Sequence, residues 1–301
     1  MKKKLLFIIL WVLLSVAFGL SIVLFEKEEI SLGVVLSSAM LALLLEKTGR
    51  AFQDLLDTTD WKTTQRKLKR GGFIKDNDLV RISFAYLYRI KVGSYYLLVK
   101  NERNTGKYQP VGGVFKLIGN EKVELKNRYH VMDDNKILID ESSKDDYRLR
   151  MENKYLRKFV SRFNSEEAER ERIDNAGREF SEELIEKGIL SEWSSITYRY
   201  CGRYISELRF SDHFQMYELL LFDIVELIPT AEQEQELKKL IHSSSNQYCF
   251  ATAEQIACLG MNIDQGMLYE RIGDHSRHIL QENESKLMKT HDTGLIFTVE
   301  L

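Results

Sequence analysis

The chain has 301 residues, and its 43 basic and 45 acidic side chains give a formal net charge of −2. Without a basic excess, no long-range field favours binding to a DNA or RNA polymer. Three scattered cysteines lack the spacing of a disulfide framework or a metal site, which is typical of a protein in a reducing compartment. Nearly all of the strongly apolar sequence lies within the first 45 residues, ahead of a more polar body.

Two uncharged runs near the N-terminus predict two membrane-spanning helices. The first covers residues 5–25 and, as a helix of 21 residues, is about 31 Å long, which matches the apolar thickness of a bilayer. The second covers residues 30–45, about 24 Å, and Lys47 and Arg50 extend it because their charged ends reach the interface. Basic residues flank both outer ends and the turn at 26–29 is net acidic, so the positive-inside rule places both termini in the cytoplasm.

A cleaved signal peptide and a buried hairpin of a soluble protein are the alternatives for this segment. The signal peptide is disfavoured because the first run is long, no small-residue cleavage site follows it, and a second run comes immediately afterwards. Small residues along the second run permit close helix packing, either between molecules in the membrane or within one hairpin. They are Gly33, Ser37, Ser38, Ala39 and Ala42.

The sequence divides into a hairpin over residues 1–49, an amphipathic connector helix over 50–70, ended by Gly71-Gly72, and a cytoplasmic domain over 71–301. Strand and helix patterns mix along the domain without a regular βαβ repeat, which predicts an α+β fold around one sheet system. Strands are expected over 79–90, 94–100, 111–117, 121–125, 196–210, 214–227 and 294–299, and helices over most of 146–190 and after Pro229 and Thr252.

The segment 177–186, GREFSEELIE, carries four glutamates at helical spacing. On a helix, Glu179, Glu182, Glu183 and Glu186 fall within an arc of about 100°. Like charges at this spacing repel, so either the face is solvated or a hard divalent cation offsets the repulsion. The apolar residues on the neighbouring arc, which we expect to face a core, are Ala176, Phe180 and Leu184.

These residues resemble the second half of the Nudix box, whose pattern is Arg-Glu-apolar-x-Glu-Glu, and Gly112-Gly113 resembles the Pro-Gly-Gly strand that precedes the box. The resemblance implies a divergent Nudix-like α/β/α domain. In the family, Mg²⁺ held by the glutamates activates a water that cleaves a nucleoside diphosphate linked to another group. By this resemblance Glu179, Glu182 and Glu183 occupy the metal positions, and Arg178 the position of a structural ion pair.

The sequence departs from the box at three positions. Ile185 stands where the family has Gly, Arg170 where it has Glu, and Asn164 where it has Gly. The segment between Gly113 and the acidic residues is also longer than the usual loop. With the box incomplete, we assign no catalytic residue, and Mg²⁺ is an optional ligand rather than a required cofactor.

Two spans, a basic connector and a divergent Nudix-like domain together resemble the transmembrane Nudix effectors of bacterial anti-phage signalling systems (CBASS). The resemblance implies a functional link to a nucleotidyltransferase that makes cyclic oligonucleotides after infection. It further implies that the domain binds a cyclic di- or trinucleotide, that the protein assembles into a homo-oligomer, and that the spans disrupt the bacterial inner membrane. Growth arrest or cell death would follow.

A cyclic nucleotide needs cations or backbone N–H groups for its phosphates and aromatic faces for its bases. Two segments interleave such residues, one before Gly112-Gly113 and one in the strand after the acidic segment. An ordinary half-exposed strand is the alternative for each, because alternation sends Arg199 to the opposite face from its tyrosine neighbours. The expected ligand-binding residues are Arg103, Lys107, Tyr108, Gln109, Gly112, Gly113, Tyr198 and Tyr200.

Two other functions fit the sequence. A membrane-anchored Nudix hydrolase of nucleoside diphosphate derivatives requires the acidic segment to bind Mg²⁺, and the incomplete box disfavours it. A membrane scaffold whose body docks other proteins requires no small-molecule pocket, and the two aromatic and cationic segments disfavour it.

Overall fold

The computed structural model describes residues 2–56, 60–101, 106–137, 139–140, 143–243, 245–262, 267–268 and 271–301. By its internal contacts the chain forms two compact units, Met1–Thr59 and Asp60–Leu301. The first is a helical hairpin, and the second contains the sheets.

The hairpin consists of α1 (Lys2–Lys27) and α2 (Ser31–Leu56). Its helices pack closely where side chains are small: the Ser21 hydroxyl donates to Ser37 Oγ at 3.1 Å, and a β-carbon on Gly33 would lie 2.6 Å from the Phe25 ring. Windows of 19 residues in α1 and α2 have mean hydropathies of 2.3 and 1.5, and most of their side chains are exposed. Both helices are therefore long and apolar enough to cross a membrane, as predicted.

The segment predicted as one connector helix is divided. Its first part continues α2 to Leu56, α3 spans Asp60–Arg70, and residues 57–59 lie outside the described residues. Gly71-Gly72 ends α3 as expected: Gly72 has a φ of +74°, and the next amide donates back to the Leu68 carbonyl.

The second unit contains mixed strands and helices. Its further helices are α4 (Glu121–Tyr129), α5 (Leu156–Phe163), α6 (Arg178–Phe180), α7 (Ala231–Ile241) and α8 (Ala253–Ala257), with a π-helical turn at Ser181–Ile185 and 3₁₀ segments at Asn153–Tyr155, Ile173–Asn175, Asp274–Ile279 and Gln281–Lys286. Its strands are β1 (Leu79–Arg89), β2 (Lys91–Val92), β3 (Tyr95–Lys100), β4 (Tyr108–Gln109), β5 (Gly112–Val114), β6 (Met132–Asp133), β7 (Arg148–Glu152), β8 (Ser195–Ile205), β9 (Arg209–Ser211), β10 (Met216–Leu227), β11 (Tyr248–Thr252), β12 (Met261–Asn262), β13 (Met267–Leu268) and β14 (Ile296–Glu300).

The large sheet has the strand order β14-β8-β10-β1-β7-β6, with β5 paired to β1 and β9 paired to β10. At its centre β1 and β10 are parallel, from Val80 opposite Tyr217 to Arg89 opposite Glu226, and β1 pairs antiparallel with β5 and β7. A smaller sheet has the order β11-β3-β2, with β4 on β3. The α+β prediction is confirmed, but the expectation of one sheet system is wrong, because β3 pairs with β2, β4 and β11 in a sheet separate from that of β1.

Strand β1 is buried on both faces, because alternate side chains enter two separate hydrophobic clusters. Phe84 and Tyr86 join the larger cluster, in which Phe84 stacks on Phe163 of α5 with 3.7 Å between ring centres. Ala85 and Leu87 join the second cluster, which also contains side chains of the smaller sheet. β1 is therefore fixed firmly enough to position the short strand β5 beside it.

Two predicted elements are wrong. Residues 121–125 begin α4 instead of forming a strand, because buried Glu121 accepts hydrogen bonds from Arg162 at 2.7 Å and from the Tyr147 hydroxyl at 3.2 Å. Residues 146–190 are not mostly helical: β7 lies among them, with Leu149 and Met151 buried between charged neighbours.

Candidate functional site

The acidic segment forms the single turn of α6 followed by the π-helical turn at Ser181–Ile185. Ala176, Phe180 and Leu184 are fully buried, which confirms the face predicted to point into the core. The Glu186 amide donates to the Ser181 carbonyl at 2.9 Å, the wider spacing of a π turn. Such turns are rare and frequently occur at functional sites.

Strand β5 lies directly against this turn. The Gly112 amide donates to Glu183 Oε2 at 3.0 Å, and a β-carbon on Gly113 would lie 1.8 Å from Glu179 Oε1. A β-carbon on Gly112 would meet the Tyr86 carbonyl of β1 at 2.2 Å, and its φ of +148° also favours glycine. The two separated parts of the resemblance, Gly112-Gly113 and the glutamates, therefore form one site.

Arg178 links the acidic turn to the sheet. Its Nη1 donates to Glu179 Oε1 at 2.7 Å and lies 3.3 Å from Glu182 Oε1. Its Nη2 donates to the Val114 carbonyl and to Glu171 Oε2, each at 3.1 Å. Arg178 thus forms ion pairs with carboxylates on both sides of its guanidinium, in line with the structural role that the resemblance implied.

Glu171 is a site residue that the sequence did not reveal. Besides Arg178, it accepts hydrogen bonds from the Lys116 amide and the Tyr86 hydroxyl, each at 3.2 Å. It stands one residue after Arg170, the position at which the family has Glu. The sequence could have indicated Glu171, because it is an acidic residue one position after the place where the family has Glu.

The three residues that depart from the box serve packing and structural hydrogen bonding. The Arg170 guanidinium lies 3.8 Å from the centre of the Phe163 ring and donates to the Phe163 carbonyl at 2.9 Å. The Asn164 side-chain oxygen accepts a 2.5 Å hydrogen bond from Arg203, and Ile185 packs against the larger core cluster.

Burial changes the protonation of the glutamates next to β5. Loss of hydration raises the pKa of Glu183 to about 8, although the Gly112 hydrogen bond acts in the opposite direction. Burial likewise raises the pKa of Glu179, against the effect of the neighbouring Arg178 charge. The desolvated side of the site therefore carries less negative charge than its sequence implies.

The carboxylates do not form a metal site in this arrangement. Glu179 and Glu182 share the Nη1 group of Arg178, and Glu183 accepts from a backbone amide. Within the described residues, no group of three or more His, Cys, Asp or Glu side chains is placed to hold a metal ion. The donor set thus does not fit the Mg²⁺ that the resemblance implied.

A cleft opens over β5 and consists of two adjoining hollows. The proximal hollow has a volume of about 510 Å³. Its lining includes the acidic residues Glu179, Glu182 and Glu183 and the basic residues Lys100 and Lys136. The distal hollow, about 640 Å³, includes lining residues on β1, on the β9–β10 hairpin and at 273–275. Both hollows share lining residues, among which are Gln109, Gly112, Gly113, Arg148 and Phe214.

Three lysines of the cleft have no carboxylate partner in the part of the chain that the structure describes. Among the described residues, no acidic side chain lies within 4 Å of the Nζ atom of Lys100, Lys107 or Lys136. Phe214 supplies a half-buried aromatic face beside them, and the Arg81 guanidinium lies 4.1 Å from its ring centre. Phe214 was missed because the sequence placed it at the start of the strand predicted over 214–227, whereas it lies in the loop between β9 and β10.

The residues predicted to bind a ligand are only partly brought together. Lys107, Gln109, Gly112 and Gly113 line the cleft. Tyr108 is buried instead, and its hydroxyl donates to the Asn246 carbonyl at 3.2 Å. The predicted role of Arg103 falls outside the described residues.

Tyr198 and Tyr200 lie in the core and do not line the cleft. The Tyr198 hydroxyl donates to the Ile173 carbonyl at 2.8 Å and accepts from the Ala176 amide at 3.0 Å. The Tyr200 hydroxyl donates to Asp223 Oδ1 at 2.7 Å. Both side chains share one face of β8, as alternation predicted, but that face is covered by the larger cluster.

Replacing Gly113 with Ala will separate β5 from the acidic turn, because the new β-carbon would overlap the Glu179 carboxylate. We expect a loss of about 1–3 kcal/mol in the free energy of unfolding, measured by denaturant titration. Gly273→Ala is the matched control, since the atom nearest to its β-carbon is 3.5 Å away. Equal stability of G113A and wild type would contradict the close approach.

The raised pKa of Glu183 predicts a pH-dependent stability. The folded state binds the proton more tightly than the unfolded state, so this contribution is present at low pH and is lost as pH rises from about 5 through about 8. Glu183→Gln, which keeps an acceptor for the Gly112 amide, should remove that part of the decline in melting temperature. Glu186→Gln, an exposed residue of the same turn, should leave it intact. Identical pH profiles for E183Q and wild type would refute the assignment.

Comparison with known proteins identifies the family of the domain. The profile of the family described as SMODS-associated NUDIX domain matches residues 79–280, about two thirds of the chain, and includes both β5 and the acidic turn. Neither the comparison with curated proteins nor that with solved structures finds a match. The length of the profile match shows that the chain belongs to the SMODS-associated NUDIX domain family.

Proposed function

We propose that this protein is a membrane effector that senses a cyclic di- or trinucleotide in its cleft. The observation that carries the proposal is a set of three lysines, Lys100, Lys107 and Lys136, that have no carboxylate partner among the described residues and surround a cleft with a glycine floor and an aromatic wall. The family's association with SMODS nucleotide signalling supplies the ligand class and the functional link to a nucleotidyltransferase.

The chemistry of the cleft suits a cyclic nucleotide. Lysine ammonium groups attract phosphates as compact point charges, and Phe214 offers a face on which a base can stack. Gly112 and Gly113 allow the ligand backbone to approach closely because they carry no side chain. Arg178, rather than a divalent cation, balances the glutamates at the proximal end, so ligand binding requires no metal.

The helical hairpin is the proposed effector element. Its apolar side chains are exposed along α1 and α2, and a bilayer is the solvent that accommodates such a surface. We place the protein in the bacterial inner membrane, and the basic residues at both outer ends favour two spans with both termini in the cytoplasm. Ligand binding changes the membrane only if it favours one assembly over another. We therefore infer that nucleotide-driven oligomerisation concentrates the hairpins until they disrupt the bilayer.

Binding is tested by calorimetric titration of the detergent-solubilised full chain with cyclic di- and trinucleotides in EDTA. The double variant Lys100→Gln/Lys136→Gln should bind at least about 100-fold more weakly, since each of the two lost charge-assisted hydrogen bonds contributes about 1.5–3 kcal/mol, a factor of ten or more. Phe214→Ala should lose about tenfold through the missing stack. Lys239→Gln, an exposed lysine of α7, is the control and should bind as wild type.

Two results would overturn the sensor proposal. If linear nucleoside diphosphate derivatives are turned over, and only when Mg²⁺ is present, the protein is a membrane-anchored hydrolase. Absence of binding across the whole panel would favour a scaffold.

Oligomerisation is tested by light scattering on the same solubilised protein. The molar mass should increase when a cyclic nucleotide that binds in the titration is added, and K100Q/K136Q should require correspondingly more ligand. A constant mass at saturating ligand would refute the assembly step while leaving nucleotide binding in place.

A further inference from the structure

Helix α3 has two chemically opposite faces. Its inner face carries Trp61, which is buried, and Gln65, whose Nε2 donates to Asn153 Oδ1 at 2.6 Å. Arg157 further fixes this face by donating to Gln65 Oε1 at 2.7 Å and to the Lys62 carbonyl at 3.0 Å. The orientation of α3 on the domain is therefore set by packing and leaves its other face to solvent.

The opposite side of α3 is basic. Arg66, Lys67 and Arg70 fall within an arc of about 100° on the helix, roughly opposite Trp61 and Gln65. Among the described residues, no carboxylate lies within 4 Å of these three cations, whereas their neighbour Lys69 forms an ion pair with Asp76. The Arg66 guanidinium donates only to neutral oxygens, those of Lys62 and Thr63.

An exposed aromatic ring completes this surface. Phe73 follows α3 by three residues, is 70% exposed, and lies over Gly71, where a β-carbon would come within 2.7 Å of the ring. Exposure of this apolar ring to water does not stabilise the protein, whereas the boundary between lipid headgroups and acyl chains accommodates such a ring well. Cations and an apolar ring on one exposed surface together match an anionic bilayer.

The covalent chain holds this surface near the membrane. Three residues separate the end of α2 at Leu56 from the start of α3 at Asp60, a reach of at most about 14 Å. The apolar window of α2 ends at Gly49, and the seven helical residues beyond it add about 10 Å. A lipid surface is therefore the nearest extended anionic partner available to α3.

We propose that the outward face of α3, formed by Arg66, Lys67 and Arg70, together with the exposed ring of Phe73 that follows the helix, binds the headgroups of anionic lipids on the cytoplasmic side of the membrane. The proposal rests on membrane anchoring by the hairpin but not on nucleotide binding. It gives the domain a second, lipid-dependent attachment in addition to its covalent link to the hairpin.

The first experiment uses the unit Asp60–Leu301, whose hydrophobic clusters are built from its own residues. Its binding is measured by co-sedimentation with vesicles of phosphatidylcholine, alone or mixed with phosphatidylglycerol. We expect binding only to the mixed vesicles, and weaker binding when salt is added. Arg66→Gln/Lys67→Gln/Arg70→Gln should weaken it about a hundredfold, since each basic residue near an anionic surface strengthens binding roughly fivefold. Phe73→Ser should weaken it further.

Controls separate lipid binding from misfolding and from the nucleotide proposal. Lys238→Gln/Lys239→Gln/Lys286→Gln removes as many exposed cations from other surfaces and should retain binding. The α3 triple variant should keep the wild-type melting temperature and, in the full chain, the wild-type affinity for cyclic nucleotides. Equal binding to pure phosphatidylcholine, or equal losses in both triple variants, would overturn the proposal.

The full chain provides the second readout. In proteoliposomes, the amides of residues 66–73 should exchange hydrogen more slowly in phosphatidylglycerol mixtures than in phosphatidylcholine alone. Exchange that is independent of lipid composition would show that the intact protein does not use this surface, and the proposal would fail even if the isolated unit bound vesicles.

Discussion

The close approach of β5 to the acidic turn is the constraint on which the rest of the site depends. Gly113 has no room for a β-carbon beside Glu179, and the Gly112 amide is committed to Glu183. β5 pairs with β1 at Tyr86 and Leu87, so the position of this contact is fixed by the central strand of the large sheet. The parallel partner of β1 is β10, and the loop before β10 carries Phe214. One central strand pair thus positions both the glycine floor and the aromatic wall of the cleft.

Charge at the acidic turn is balanced within the protein. For a cation to bind Glu179 and Glu182 together, Arg178 must release both, and its guanidinium would then lose partners in a partly buried place. Breaking one side of such a pair is expensive because the remaining charge is left desolvated. Burial also raises the pKa of Glu183 and Glu179, which reduces the negative charge that a metal would neutralise. Both effects disfavour the recruitment of Mg²⁺ by these carboxylates.

Features that depend on neighbouring residues were predictable from the sequence, and features that depend on distant ones were not. The apolar runs, the long strands and the buried face of the acidic turn follow from local periodicity. Tyr198 has the same strand pattern as a half-exposed residue, but its hydroxyl is satisfied by backbone groups of residues 173 and 176, which only the fold brings near. Glu171 reaches Arg178 because of the path taken by the loop before α6. No local pattern predicts that path. The ion pair between Glu171 and Arg178 was therefore missed, because Glu171 stands one residue after the position at which the family has Glu.

The two groups of unpaired cations differ in the shape of the surface that carries them. Elsewhere in the described residues, buried cations are matched closely, as for Arg203 with Asp223 and Arg81 with Asp134, each at 2.7 Å. A cation that is paired with a carboxylate contributes little net electric field. An external anion is therefore attracted mainly to cations without a carboxylate partner. The lysines of the cleft line a concave surface beside Phe214, a shape that suits a small ligand. The cations of α3 occupy a convex helix face, which cannot surround a nucleotide but can lie against an extended surface. Shape therefore distinguishes the two proposed sites, although both rely on the same charge chemistry.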